Sequence, residues 1–184
     1  MKKLTAILGV LLFISLLSGV SPADCGQWVW VHGCAGSYNL KIFKNPVNLA
    51  IAPDATGMFI NFSSDTPIGL TPTVCYAIPA INGGAIAANR VCIKFRGEPA
   101  GSPAVISAIT VTNGEDIIFS RNDNLWGGFG YFEQSFDLGR TVVFDKGLCI
   151  AIGTTVTGAM SMMKIIAVGA YFNFNVQAGS NSPQ

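Results

Sequence analysis

The sequence predicts an all-β fold: a single β-sandwich of jelly-roll type, with a closed β-barrel as the alternative. Three observations predict it. Hydrophobic residues recur with period two in one segment after another. Gly and Asn turn signals separate those segments at short intervals. No stretch carries a sustained 3.6-residue period with helix caps. The chain has 184 residues, half of them hydrophobic and 21 of them Gly, which suits one such domain.

The elements follow in order. Met1-Lys2-Lys3 is a short basic start, and Leu4 to Leu17 is apolar apart from Thr5 and Ser15. Small residues at Ser21 and Ala23 mark a cleavage site before Asp24, so residues 1–23 read as a signal peptide. The apolar run breaks at Ser18-Gly19 and Pro22, short of the roughly 20 apolar residues of a membrane span. Cleavage then leaves no transmembrane segment, and the expected location is secreted or cell surface. Asp24, where a lipid-attachment site has a small residue, argues against lipidation of Cys25.

The domain is expected over 24–176, with a polar tail over 177–184. Gln27–His32 is an aromatic, β-branched strand. Tyr38–Lys44, Met58–Phe62 and Val91–Arg96 alternate, the last with Lys94 and Arg96 outward. Val105–Thr112 and Ile117–Ser120 are joined by Asn113-Gly114, a hairpin signal. Leu148–Thr157 and Ile165–Val176 complete the set, with Ile166, Val168, Ala170 and Phe172 on one face of the latter. Ala159–Lys164 reads as one helical turn or a strand start.

Five cysteines in an exported chain predict disulfides and leave at least one thiol unpaired. Cys75 and Cys92 are symmetric about Gly83-Gly84. In a two-residue hairpin there they fall on a non-hydrogen-bonded pair, where side chains come closest. Cys25 and Cys34 flank the first strand and form the second expected bridge. Cys149, in an apolar strand, reads as a buried, inert thiol.

Composition excludes several chemistries. A net charge of +1 and 11% charged residues give no footprint for nucleic acid. His32 is the only histidine and would have to be the base of any Ser–His or Cys–His mechanism. No Gly-x-Ser-x-Gly, Cys-x-x-Cys or His-x-x-x-His occurs. Glu98, Glu115 and Glu133 form no recognisable catalytic pair. No catalytic residue, metal or cofactor is therefore assigned. The richest segment is Leu125–Phe132, where Trp126 and Tyr131 stand among glycines as stacking surfaces for sugars. Asn122, Asp123 and Asn124 beside them supply hydroxyl-binding groups; the competing reading is a loop with its aromatics in the core. The function expected is a non-catalytic surface binding module with carbohydrate as ligand. Self-assembly with copies of itself by strand addition is the alternative. A hydrolase comes third and an outer-membrane barrel fourth.

Trp30-Val31-His32-Gly33, Tyr76-Ala77-Ile78-Pro79-Ala80, Val91-Cys92-Ile93-Lys94-Phe95 and Val168-Gly169-Ala170-Tyr171-Phe172 stand in that order. Together they resemble the "WVHG", "FHFPIPTP", "VFVLF" and "AGADF" segments of a bacterial family of domains of unknown function, over about residues 27–174. Cys34 departs from that pattern, which has Asn after the Gly. The resemblance implies a β-sandwich-like domain and supplies no catalytic residue.

Overall fold

In a computed structural model, the period-two segments become strands of two six-stranded antiparallel sheets packed across a shared apolar core. Residues 26–38, 49–62, 71–79, 86–97, 104–122, 126–156 and 161–173 are described. The expected signal peptide, Cys25, the expected turn at Gly83-Gly84, Glu98, Asp123, Asn124 and the expected tail over 177–184 lie outside them.

The strands are β1 (Gly26–His32), β2 (Ser37–Tyr38), β3 (Leu49–Asp54), β4 (Gly57–Phe62), β5 (Thr73–Ile78) and β6 (Ile86–Gly97). They continue with β7 (Ala104–Asn113), β8 (Asp116–Arg121), β9 (Trp126–Gly127), β10 (Gly130–Phe144), β11 (Leu148–Val156) and β12 (Met162–Asn173). Sheet A runs β10-β6-β12-β4-β3, with β1 also on β12; sheet B runs β2-β5-β11-β7-β8, with β9 also on β7. The chain passes between sheets at most connections, and β3–β4 and β7–β8 are hairpins within a sheet. Among the described strands neither sheet closes on itself, so the sandwich and not the barrel is the architecture.

One face of each sheet builds the core. Met58, Ile60 and Phe62 of β4 and Val91, Ile93 and Phe95 of β6 are buried, as their alternation requires. Val74, Tyr76 and Ile78 of β5 and Leu148, Ile150 and Ile152 of β11 face them from sheet B. Full burial of such a side chain stabilises by about 1.5–3 kcal/mol. The Tyr76 hydroxyl is satisfied inside, donating to the Gly33 carbonyl at 3.0 Å. Burial pushes its pKa well above the usual phenol value.

The longest strand, β10, arises where no strand was expected. Phe132, Phe136, Leu138, Val142 and Phe144 do alternate inward, but Gly130, Gln134 and Gly139 interrupt the pattern. In β12 the expected inward set is correct from Val168 onward. Ile166, however, is the extra residue of a bulge between Ile165 and Ala167, so inward positions change parity there. The hairpin signal at Asn113-Gly114 lies one residue early. Asn113 pairs with Asp116, and the loop is Gly114-Glu115 with Gly114 at φ +59°.

That hairpin is tied to the β10–β11 turn by one buried side chain. Asn113 Nδ2 donates to Asp145 Oδ1 at 2.7 Å, and the Lys146 N–H donates to Asn113 Oδ1 at 2.8 Å. Asn113→Ala removes these bonds and leaves Asp145 and Lys146 to water, at an expected cost of about 0.5–1.5 kcal/mol, measurable by denaturant unfolding. At the β3–β4 turn, Lys164 reaches Asp54 Oδ2 at 2.8 Å. The Lys164 ammonium, with Thr56, holds the Asp54 carboxyl far below its ordinary 3.8. A depressed carboxylate stabilises the fold above its unfolded pKa and loses that contribution as pH falls. Stability should therefore fall below about pH 4, and Asp54→Asn should remove part of that slope in thermal melts from pH 5 to 2.

Candidate functional site

The outward face of sheet A collects the aromatic and charged residues of strands distant in sequence. Val29 and Val31 of β1 pack on the core, so Trp28, Trp30 and His32 point outward. Register then sets three rows. Trp28 stands opposite Tyr171, which stands opposite Arg90, which stands opposite Asp137. The next row is Trp30, Gly169, Cys92 and Ser135, and the third is His32, Ala167, Lys94 and Glu133.

The small residues of β12 shape this face. A Cβ built on Gly169 would lie 2.6 Å from Cε3 of Trp30, so only glycine lets the indole lie across the strand. Trp28 and Trp30 stack with ring centroids 5.3 Å apart, and Trp28 meets Tyr171 at 5.5 Å with a 59° tilt. Cations flank both ends: Lys94 Nζ is 4.2 Å from the Trp30 ring centroid and Arg90 Cζ is 4.8 Å from that of Tyr171. Each such contact contributes about 0.5–1 kcal/mol at an exposed site. Lys94 also pairs with Glu133 Oε2 at 3.3 Å. Below them the buried Cys92 thiol donates to Glu133 Oε1 at 3.7 Å, and burial pushes the thiol pKa up. Trp30 remains 36% exposed, so the aromatic row is open to a ligand.

The residues singled out from sequence are distributed differently. Tyr131, 56% exposed, lies on β10 opposite Arg96 and belongs to this sheet. Trp126 lies on β9, opposite Ile106 in sheet B, and the exposed Asn122 follows β8 in the same sheet. The structure thus divides these three residues between the two sheets, and Asp123 and Asn124 lie outside the described residues. Glu133 sits in the third row while Glu115 occupies the distant β7–β8 turn, so these two form no catalytic pair.

The expected Cys75–Cys92 bridge is corrected. Cys75 is on β5 in sheet B and Cys92 on β6 in sheet A, so the proposed hairpin does not exist and both thiols are free. The chain crosses between sheets where the two-residue turn was placed. Cys34 is likewise a free, exposed thiol, and its expected partner Cys25 lies outside the described residues. Cys149 is half-buried on the outward face of β11, not in the core. Sequence reasoning also left His32 without a neighbour. Its Nδ1 accepts the Cys34 N–H at 3.3 Å and lies 3.1 Å from Cys34 Sγ, capping a 3₁₀ turn over Gly33–Ala35.

No family model and no curated protein matches the chain. Among solved structures it is similar to a mutant of a family 29 carbohydrate-binding module, with 12% identity and a TM-score of 0.43 over 79% of this chain and 92% of that one. It is also similar to TmCBM61 in complex with beta-1,4-galactotriose, with 13% identity and a TM-score of 0.40 over 79% and 88%. A third is the native family 35 carbohydrate-binding module from Clostridium thermocellum, with 10% identity and a TM-score of 0.39 over 77% and 97%.

Proposed function

We propose that the protein is an exported, non-catalytic carbohydrate-binding domain whose ligand lies on the outward face of sheet A. The observation that carries this reading is the line of Trp28, Trp30 and Tyr171, with Arg90, Lys94, Glu133 and Asp137 beside it on the same face. A pyranose ring presents apolar C–H groups on its faces and hydroxyls around its rim. Indole and phenol rings cover the first, and cations and carboxylates hydrogen-bond the second. Charge-assisted hydrogen bonds are the stronger kind. The scarce charges of this chain thereby acquire a use on a surface that is otherwise small and neutral.

A glycan-array screen of the full chain, followed by calorimetry on the best ligand, tests the reading. Trp30→Ala should weaken binding by at least about tenfold, equivalent to ~1.4 kcal/mol. Its melting temperature should fall somewhat, because the ring also stacks on Trp28 and carries the Lys94 contact, so affinity is read at a temperature where the variant is folded. Trp126→Ala should leave binding unchanged. A parent protein that binds no glycan, or binding lost with Trp126 and kept without Trp30, refutes the proposal.

Gly169→Ala gives an independent check that adds a methyl rather than removing a ring. The new Cβ must push the Trp30 indole off β12. Glycan affinity should fall, and because the Cβ also comes within 2.9 Å of the Val29 carbonyl oxygen some stability is lost too, so binding is read on a variant confirmed folded by its melting curve. Unchanged affinity would show that the ligand does not depend on the position of this indole.

A further inference from the structure

The outward face of sheet B carries a second cluster, separate from the aromatic one. On β5, Val74, Tyr76 and Ile78 point into the core, so Cys75 and Ala77 point out. On β11, Leu148, Ile150 and Ile152 point in, so Cys149 and Ala151 point out. Cys75 is opposite Ala151, and Cys149 is opposite Ala77. The two thiols therefore occupy one diagonal of a square whose other corners are methyl groups. Both are half-buried, and neither is bonded to another cysteine.

Geometry favours a bridged ion over a covalent bond here. Diagonal neighbours on antiparallel strands have Cα atoms about 7–8 Å apart. A disulfide needs less than about 7 Å unless the backbone moves. Movement is resisted on both sides: β5 is held between β2 and β11, and β11 between β5 and β7. Ser37 Oγ also donates to the Cys75 carbonyl at 3.4 Å. Two metal–thiolate bonds of about 2.3 Å each let one ion reach both sulfurs across the diagonal without the strand movement that an S–S bond needs. Thiolates select soft cations such as Cu(I). No third His, Cys, Asp or Glu is grouped with the pair among the described residues. Two ligands suit a monovalent d¹⁰ ion, which accepts two-coordinate geometry.

We propose that Cys75 and Cys149 form a two-thiolate Cu(I) site on the face of the sandwich opposite the aromatic row. Cu(I) replaces both thiol protons, giving a bis-thiolate complex of charge −1 and two released protons. The alanine corners leave the sulfurs open to an incoming ion.

Anaerobic titration of the full, reduced chain with Cu(I) against a colorimetric Cu(I) chelator tests this. The parent protein should retain one equivalent with two sulfur ligands by X-ray absorption. Cys34→Ser, which removes the thiol beside His32, should retain it equally. Cys75→Ser and Cys149→Ser should each weaken retention by at least about a hundredfold, no less than the loss of an outer-shell partner costs. Cys75→Ala and Cys149→Ala repeat the test without the new hydroxyl, and melting curves confirm that each variant is folded. Three results overturn the proposal: retention that survives loss of Cys75 or Cys149, retention that follows Cys34, or a Cys75–Cys149 disulfide in a non-reducing peptide map of the air-exposed protein.

Discussion

The register of β12 is the constraint on which sheet A depends. This strand pairs with β6 along one edge, and along the other with β4 and then β1. Ile165, Val168, Ala170 and Phe172 are buried in the core. A slip of one residue would expose that set and bury Lys164, Gly169 and Tyr171 in its place. Burying Phe172 therefore also points Tyr171 outward at Trp28 and sets Gly169 beneath Trp30. The bulge at Ile166 belongs to the same constraint. It changes the parity of the strand, so that Ile165 on one side and Val168 on the other both face the core. Core energetics position the aromatic row without any residue of that row contributing to the core.

Much of the fold was legible because burial enforces period two. Met58, Ile60 and Phe62, or Val91, Ile93 and Phe95, announce their inward face from sequence alone. β10 was hidden because its inward positions include Gln134, and because Gly130 and Gly139 look like loop residues. It is an edge strand paired only with β6 among the described strands, and such a strand needs a less continuous apolar stripe. The candidate site was nearly illegible. Its rows join residues from β1, β12, β6 and β10, far apart in the chain, and only sheet order makes them neighbours. The Gly-aromatic segment drew notice because its residues are adjacent in sequence, yet the fold divides it between the two sheets. The cysteine symmetry misled for a related reason. Two strands equidistant from a turn pair only if both remain in one sheet, and this chain changes sheets there.

The two outward faces differ in chemistry as well as position. On sheet A, long side chains from outer strands lean over the small residues of β12, so rings and cations gather above a shallow floor. Sheet B presents Thr110, Thr112, Ala77 and Ala151 around its paired thiols, with Thr110 Oγ1 and Ser120 Oγ 3.4 Å apart. Short side chains cannot build a stacking surface, and bulky ones would cover the sulfurs. The proposed pyranose ligand and the proposed ion thus call for opposite kinds of surface, one on each sheet.

Low charge in an all-β chain also raises the possibility of strand addition, which requires a long, flat, unpaired edge. Among the described strands the free edge of β1, seven residues in unbroken register with β12, is the one that offers this; the other edges do not. β3 carries Pro53, which has no N–H to donate, and β2 and β9 are two residues long. β8 starts and ends on charged residues, Asp116 and Arg121, and its ladder with β7 is bulged. β10 is long, but its register breaks between Asp137 and Val142. There the Gly139 N–H donates to Asp137 Oδ1 at 2.7 Å, and Arg140 is exposed. Short edges, proline, charge and bulges are the devices by which sheet proteins avoid pairing edge to edge. The few charges of the chain thus blunt the edges of β8 and β10, while the edge of β1 carries none. Others stand beside the exposed rings of sheet A.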